Sequence, residues 1–349
     1  MKICHIISNK VWGGGEQYVY DLCRHLKDDG HEVELLVRPT PAILQKVNTL
    51  GVKVSKLSLL NLIRANADVM HAHNFKDARK AAIAKTLGGK HWRLIVTRHL
   101  IRPAKTKWID SWLYSRIDRL IFVSKLAMDV FLSSFPKIDS SKICVVRNSI
   151  CPIPDDDCEE LSKDGFNNLR KQLPQGTCVL MYHGRIAEEK GLITLVQAMG
   201  KLRTLPLHLF MIGTGNKEFT DLLQSEIEKA GIQARVSMLG FKQNVMPYVR
   251  LSDIGILPSI VREACPLSCM EYMSAGKCVV TTNNGGQAEY ITNHKDGVLV
   301  NPGDAEELAD AITYAIENRH ALGAMARQTF EKELSYSNFY KQITSIYGE

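Results

Sequence analysis

Glu263 and Glu271 stand eight residues apart in REACPLSCMEY, around a run that is otherwise small and apolar. A carboxylate accepts two hydrogen bonds from neighbouring hydroxyls, so one acid can hold a ribose diol and the other the hydroxyls of a sugar. Pro266 favours a helix start at that point, because proline is accepted at the first helical position. Glu263 is then expected in the preceding loop and Glu271 within the second turn. Glu271 could instead serve only to complement the helix dipole.

Cations and glycines recur at similar places. In YHGRIAEEKGLITLVQAM, Arg185 follows an apolar run and Lys190 comes five residues later, at the lip of a helical stretch. Two cations at a helix start suit a diphosphate through charge-assisted bonds and the dipole; a solvated surface pair is the plain alternative. Gly213 and Gly215 in IGTGNKEF offer another loop where a ligand can approach the backbone. In WGGGEQYVYDLCRHL, Gly13, Gly14 and Gly15 lead into a helix expected to begin near Glu16, which opens N–H groups to an anion or serves as a tight turn. GGGEQY lacks the last glycine of the dinucleotide fingerprint, and EVELLVRP ends without an acid. NNGGQAEY adds Gly285, Gly286 and Glu289 as a rim of exposed backbone.

Strands must carry these residues. Short β-branched runs alternate with longer amphipathic stretches: KICHII, EVELLV, VKVSKL, DVMHAH, RLIVTR, RLIFVS and KICVVR in the first half. The stretch NSICPIPDDDCEELSKDG, with its prolines and acidic cluster, breaks the pattern as a linker would. The alternation then resumes with TCVLMYHG, LHLFMIG, RVSMLG, DIGILP, KCVVTT and GVLVN. Two doubly wound, Rossmann-like α/β domains with mainly parallel sheets are expected, one over 1–150 and one from 166, joined by a linker over 151–165. Ligands of such folds bind beyond the carboxyl ends of the strands, which makes an interdomain cleft the expected site.

A chain of 349 residues exceeds what one core supports, and 45% hydrophobic with 23% charged residues excludes a disordered protein. The start MKICHIISNK has too short an apolar run for a signal peptide, and nowhere do eighteen apolar residues run together. Nine cysteines without a CxxC pair read as reduced core residues, so a cytoplasmic chain is expected. The net charge of +7 is uneven: residues 1–150 hold 25 Lys and Arg against 12 Asp and Glu, while the remainder holds 19 against 25. A basic first half suits an anionic partner, either a membrane surface or a phosphorylated acceptor. No RNP, zinc-finger or helix-turn-helix signature accompanies it, which speaks against nucleic acid.

Taken in order, GGGE, GRIAEEKG, the E-x7-E pair, NNGG and DGVLVNPGD resemble the retaining glycosyltransferases of family 4 (glycosyl transferases group 1), which have the GT-B architecture. The resemblance implies an acceptor-binding first domain, a donor-binding second domain over 166–334, and a C-terminal helix over 335–349 that returns to the first domain. It implies Arg185 and Lys190 on the donor diphosphate, Glu271 on the nucleotide ribose and Glu263 on the sugar hydroxyls. His99, in VTRHL, matches the family's first-domain histidine beside the transferred sugar. His99, Arg185, Lys190 and Glu263 are thereby the catalytic candidates. Gly14, Gly15, Gly184, Gly213, Gly215, Pro266, Leu267 and Ser268 join the donor side, and Glu16, His73 and His99 the acceptor side. The implied partners are a nucleotide diphosphate sugar, such as a UDP-sugar, and a glycan or lipid-linked acceptor, with no cofactor and no metal. The implied setting is bacterial surface polysaccharide or lipopolysaccharide assembly, peripheral on the inner face of the plasma membrane. A nucleotide-sugar epimerase or hydrolase, or a non-catalytic nucleotide- or glycan-binding module, are the alternatives.

Three further patterns carry weaker expectations. Asp155 and Asp157 have the D-x-D spacing used elsewhere to hold Mg or Mn, but their place in the linker points to a solvated acidic patch. His71 and His73 in HAH share one side of a strand end without acid or cysteine partners, which favours lining the acceptor side over binding metal. Trp108, Ile109, Trp112 and Leu113 are expected on one side of a helix near Lys105, Lys107, Arg116 and Arg119, as core packing or as an interfacial helix.

Overall fold

The computed structural model describes residues 1–9, 12–151 and 170–349. Asp155, Asp157, the expected linker beyond Cys151 and the expected second-domain start at 166 lie outside the described residues. The chain divides into two compact units, Met1–Cys151 with Tyr336–Glu349, and Pro152–Ser335.

The first unit holds seven parallel strands: β1 (Lys2–Ile7), β2 (Glu32–Val37), β3 (Lys53–Lys56), β4 (Val69–Ala72), β5 (Arg93–Arg98), β6 (Arg119–Phe122) and β7 (Ile143–Val145). Their order is β3-β2-β1-β4-β5-β6-β7. In the second unit, β8 (Cys178–His183), β9 (Leu207–Ile212), β10 (Val236–Met238), β11 (Ile254–Leu257), β12 (Cys278–Thr282) and β13 (Val298–Val300) run in the order β10-β9-β8-β11-β12-β13. Each sheet grows outward for three strands and then returns beside its first. The switch points therefore fall between β1 and β4 and between β8 and β11, where doubly wound folds bind ligands.

Both faces of the first sheet are covered, which explains its near-continuous apolar strands. Ile3, Ile7, Val69 and Ile95 pack with Tyr18, Leu22 and Leu26 of the helix Gly14–Asp28 and with Phe339, Ile343 and Tyr347 of the helix Tyr336–Gly348. Cys4, Ile6, Met70, Leu94 and Val96 fill the opposite face with Ala78, Ala82, Leu113 and Phe131. Arg93 fixes the end of the last helix by donating to the carbonyls of Ile346 and Tyr347 at 3.0 and 3.1 Å.

The helix Trp108–Arg116 departs from the single apolar side expected for it. Leu113 and Tyr114 are buried, whereas Trp108, its first residue, is 80% exposed and stands outside the core they enter. Helix starts also divide into two kinds. Ser58, Asn74 and Asn216 accept bonds from N–H groups three residues on, at 3.1, 2.9 and 2.8 Å, and so close their helices. The helices beginning at Gly14, Leu192 and Leu267 have no side-chain cap.

Candidate functional site

In the second unit the carboxyl end of β8 supplies His183, Gly184 and Arg185, and the loop after β11 supplies Ser259 and Glu263. Lys190, at the end of a short 3-10 turn, places Nζ 2.5 Å from Glu263 Oε1. Ser259 Oγ donates to the same oxygen at 2.7 Å. Both charged side chains are largely shielded, at 17% and 18% exposure, so the pair is much less screened than one in open solvent. Arg185 is bound differently: its guanidinium meets Glu189 at 2.7 Å and is two-thirds exposed.

The helix carrying the second acid spans Leu267–Ser274, with Pro266 at its cap position rather than inside the first turn. Glu271 is its fifth residue, in the second turn as expected and past the turn where the N-terminal dipole acts most strongly. Its Oε2 lies 3.3 Å from Nε2 of His183, a ring that burial pushes down to about 4 and so keeps neutral. With no side chain capping this helix, the first-turn N–H groups of Leu267 and Ser268 remain suited to an anion.

Glycines here do more than admit a ligand. A Cβ on Gly213 would fall 1.8 Å from the carbonyl oxygen of Gly184, and one on Gly215 would fall 2.0 Å from that of Ile186. These two glycines are required by loop-on-loop packing, a reason not visible in their sequence. Gly285 is pressed the same way against the backbone of Glu263, and Gly286 N–H donates to the Glu263 carbonyl at 2.7 Å. The NNGG loop thus clamps the first acid in place. A cavity of about 800 Å³ opens beside Arg185 and runs along Thr214, Asn216, Glu218 and Phe219.

In the first unit, the helix starting at Gly14 takes Gly14 and Gly15 into its first turn, two residues earlier than expected. A Cβ on Gly15 would meet nothing within 4 Å among the described residues. Glu16 is buried, accepts from Asn9 Nδ2, and has its carboxyl raised chiefly by burial. His71, His73 and His99 gather with His5, because β1 and β4 pair with His5 opposite His71. His71 bonds Tyr347 OH at 2.6 Å and Thr97 Oγ1 at 2.8 Å. His73 Nε2 meets His5 Nδ1 at 3.1 Å, and His73 Nδ1 meets His99 Nε2 at 3.4 Å. Both nitrogens of His73 are thereby used by neighbouring histidines among the described residues. Ring nitrogens of His5, His71 and His73 all lie within 4.8 Å of one another, the spacing of a possible metal set, but both nitrogens of His71 already have hydroxyl partners.

His5, Thr97, Tyr347, His183 and Ser259 were not singled out by the sequence. His5 is a mid-strand residue whose neighbour emerges only from strand register. Among the described residues, no helix is long and apolar enough to cross a membrane.

Comparison with known proteins gives two family matches: Glycosyltransferase Family 4 over residues 12–152 and Glycosyl transferases group 1 over residues 166–332. The lipopolysaccharide 1,2-N-acetylglucosaminetransferase of Salmonella typhimurium is 25% identical over 60% of this chain and 57% of that protein, so the match spans little more than half of that relative. The amylovoran biosynthesis glycosyltransferase AmsK of Erwinia amylovora is 28% identical over 85% of this chain and 75% of its own. Among solved structures, Anabaena Alr3699/HepE in complex with UDP superposes with a TM-score of 0.85 at 18% identity, covering 99% of both chains. At that identity the likeness establishes the two-domain Rossmann-like fold.

Proposed function

Because the chain belongs to the group 1, family 4 glycosyltransferases, we propose that it moves a sugar, with retention, from a nucleotide diphosphate sugar to a hydroxyl of a glycan or glycolipid. The observation that carries this reading is the shielded Lys190 and Glu263 pair beside the β8/β11 switch point, next to helix starts that no side chain caps. Cleavage of the sugar-phosphate bond leaves negative charge on the diphosphate and an oxocarbenium-like sugar. Arg185, Lys190 and the N–H groups at Leu267 and Ser268 stabilise that charge. Glu271 holds the ribose, Glu263 the sugar hydroxyls, and His99 contacts the transferred sugar. The departing phosphate takes the acceptor proton on the same face, so no protein base is required.

The acceptor reading is assembly of a bacterial surface polysaccharide or lipopolysaccharide at the inner leaflet, with the basic first half on the anionic membrane. It is supported by relatives with those named roles and by exposed Trp108 and Leu100 near exposed Arg102, Lys105 and Lys107. A thermal-shift panel of nucleotide sugars tests the donor: a ligand at a hundred times its Kd stabilises by about 2.7 kcal/mol. Transfer assays with the best donor, in chelator and in added Mg or Mn, then test the chemistry. Equal rates are expected. Loss of activity in chelator, restored by metal, refutes the metal-free mechanism, and donor consumption without any acceptor favours a hydrolase.

A further inference from the structure

The first unit contains a row of imidazoles of which the reaction above uses only His99. His5, His73 and His99 are joined by nitrogen-to-nitrogen contacts of 3.1 and 3.4 Å, and their rings stack at 5.4 and 5.7 Å with interplanar angles of 11° and 26°. Burial drives His5 down to about 3 and His99 to about 4, and holds His73 well below its ordinary value, so the three rings are neutral near pH 7. A neutral imidazole has one N–H and one bare nitrogen, and each contact in the row needs one of each. Only two arrangements satisfy both contacts, and they point in opposite directions.

The far end of the row decides between them. His5 Nε2 is buried with no hydrogen-bond partner. If the row ran from His99 toward His5, that nitrogen would be a buried N–H left unpaired, the rarer and costlier orphan. Running the other way, His5 Nδ1–H donates to His73 Nε2, His73 Nδ1–H donates to His99 Nε2, and the orphan is only a bare lone pair. His99 must then carry its proton on Nδ1, which takes no bond from the described residues on a half-buried side chain. His71 imposes no direction, since its partners are hydroxyls that can donate or accept.

We propose that His5 and His73 are positioning residues that lock His99 in the Nδ1–H tautomer, so that it meets its ligand as a neutral hydrogen-bond donor and not as a base. The ligand is an oxygen acceptor, a hydroxyl or phosphate oxygen of the nucleotide sugar; that part rests on the place given to His99 under the proposed function. The tautomer itself does not depend on it. The neutral histidine side chain in water favours Nε2–H, so the row enforces the less common form.

Long-range proton–nitrogen NMR of the full-length, unliganded protein with labelled histidine reads the tautomers directly near pH 7. Nδ1–H on His99, His73 and His5 is expected. In His73→Leu, which removes the donor to Nε2, His99 should revert to Nε2–H; His5→Phe gives a second variant whose apolar ring suits the same strand position. Nε2–H on His99 in the native protein overturns the proposal, as does a His99 tautomer unchanged in both folded variants. Stoichiometric zinc in the purified protein that is lost in His5→Phe also overturns it, since a metal would replace the row. Donor binding separates the two readings. If the tautomer is as expected but His73→Leu binds nucleotide sugar and nucleoside diphosphate as tightly as the native protein, the lock stands and the placement of His99 on the sugar falls.

Discussion

Lys190 Nζ lies 2.5 Å from Glu263 Oε1, and Ser259 donates to that same oxygen. The cation proposed for the diphosphate and the acid proposed for the sugar are therefore one coupled pair in the unliganded protein. A diphosphate arriving at Lys190 must draw it from Glu263 or share it. Glu263→Ala is expected to keep or strengthen nucleoside diphosphate binding while transfer falls. Lys190→Met should weaken that binding by about 1.5 to 3 kcal/mol, roughly ten- to a hundredfold or more. Calorimetry on both variants decides the matter: weaker nucleoside diphosphate binding in folded Glu263→Ala would mean that the acid serves the nucleotide itself.

Glu271 offers a separable test, because a ribose diol can be shortened by one hydroxyl. The native protein should bind a ribonucleoside diphosphate more tightly than its 2′-deoxy analogue. Glu271→Ala should bind both alike, with a loss of about 1.5 to 3 kcal/mol for the ribose form. Discrimination that survives in the variant removes Glu271 from the ribose.

Acid should destabilise the fold before its carboxylates titrate. His5 and His183 have folded values of about 3 and about 4 against an ordinary 6.5, and burial lowers His71 as well. Below pH 6.5 the unfolded chain takes up protons that these rings refuse, so stability is lost as pH falls toward the folded values. Each shielded ring contributes a slope of about 1.4 kcal/mol per pH unit. Glu16 and Asp21, whose carboxyls burial raises, act with the opposite sign and blunt the effect. Urea midpoints between pH 7 and 5 should decline, and less steeply in His183→Gln. Equal slopes in the native protein and His183→Gln would show that His183 is not held neutral in the folded protein.

Association with anionic vesicles should exceed association with neutral ones and fade as salt rises. Each Lys or Arg near such a surface contributes about 1 kcal/mol. Trp108 is 80% exposed, so Trp108→Ser should lower binding without loss of stability. Sedimentation that is equal for both vesicle types, or absent, ends the membrane reading.

The strand and helix order was legible in the chain because period and propensity are local: every expected strand among the described residues is present, some at full length and the rest trimmed by a residue or two at one or both ends. The places of the two acids and the two cations were equally open to reading, since each lies beside a strand end or a helix start. Side-chain pairing was not. Lys190 meets Glu263 across 73 residues and His71 meets Tyr347 across 276, distances that only sheet order and helix packing can close. The glycines at 213 and 215 were open to reading as places where a ligand approaches, whereas the loop packing against Gly184 and Ile186 that also requires them was not. His5 drew no notice as one polar residue in an apolar strand; register set it opposite His71, and burial made it the end of a row whose direction a single unpaired nitrogen fixes. Sequence determines which groups are available for chemistry, whereas tertiary structure decides which of them are already engaged, because hydrogen bonds and ion pairs form between neighbours in space.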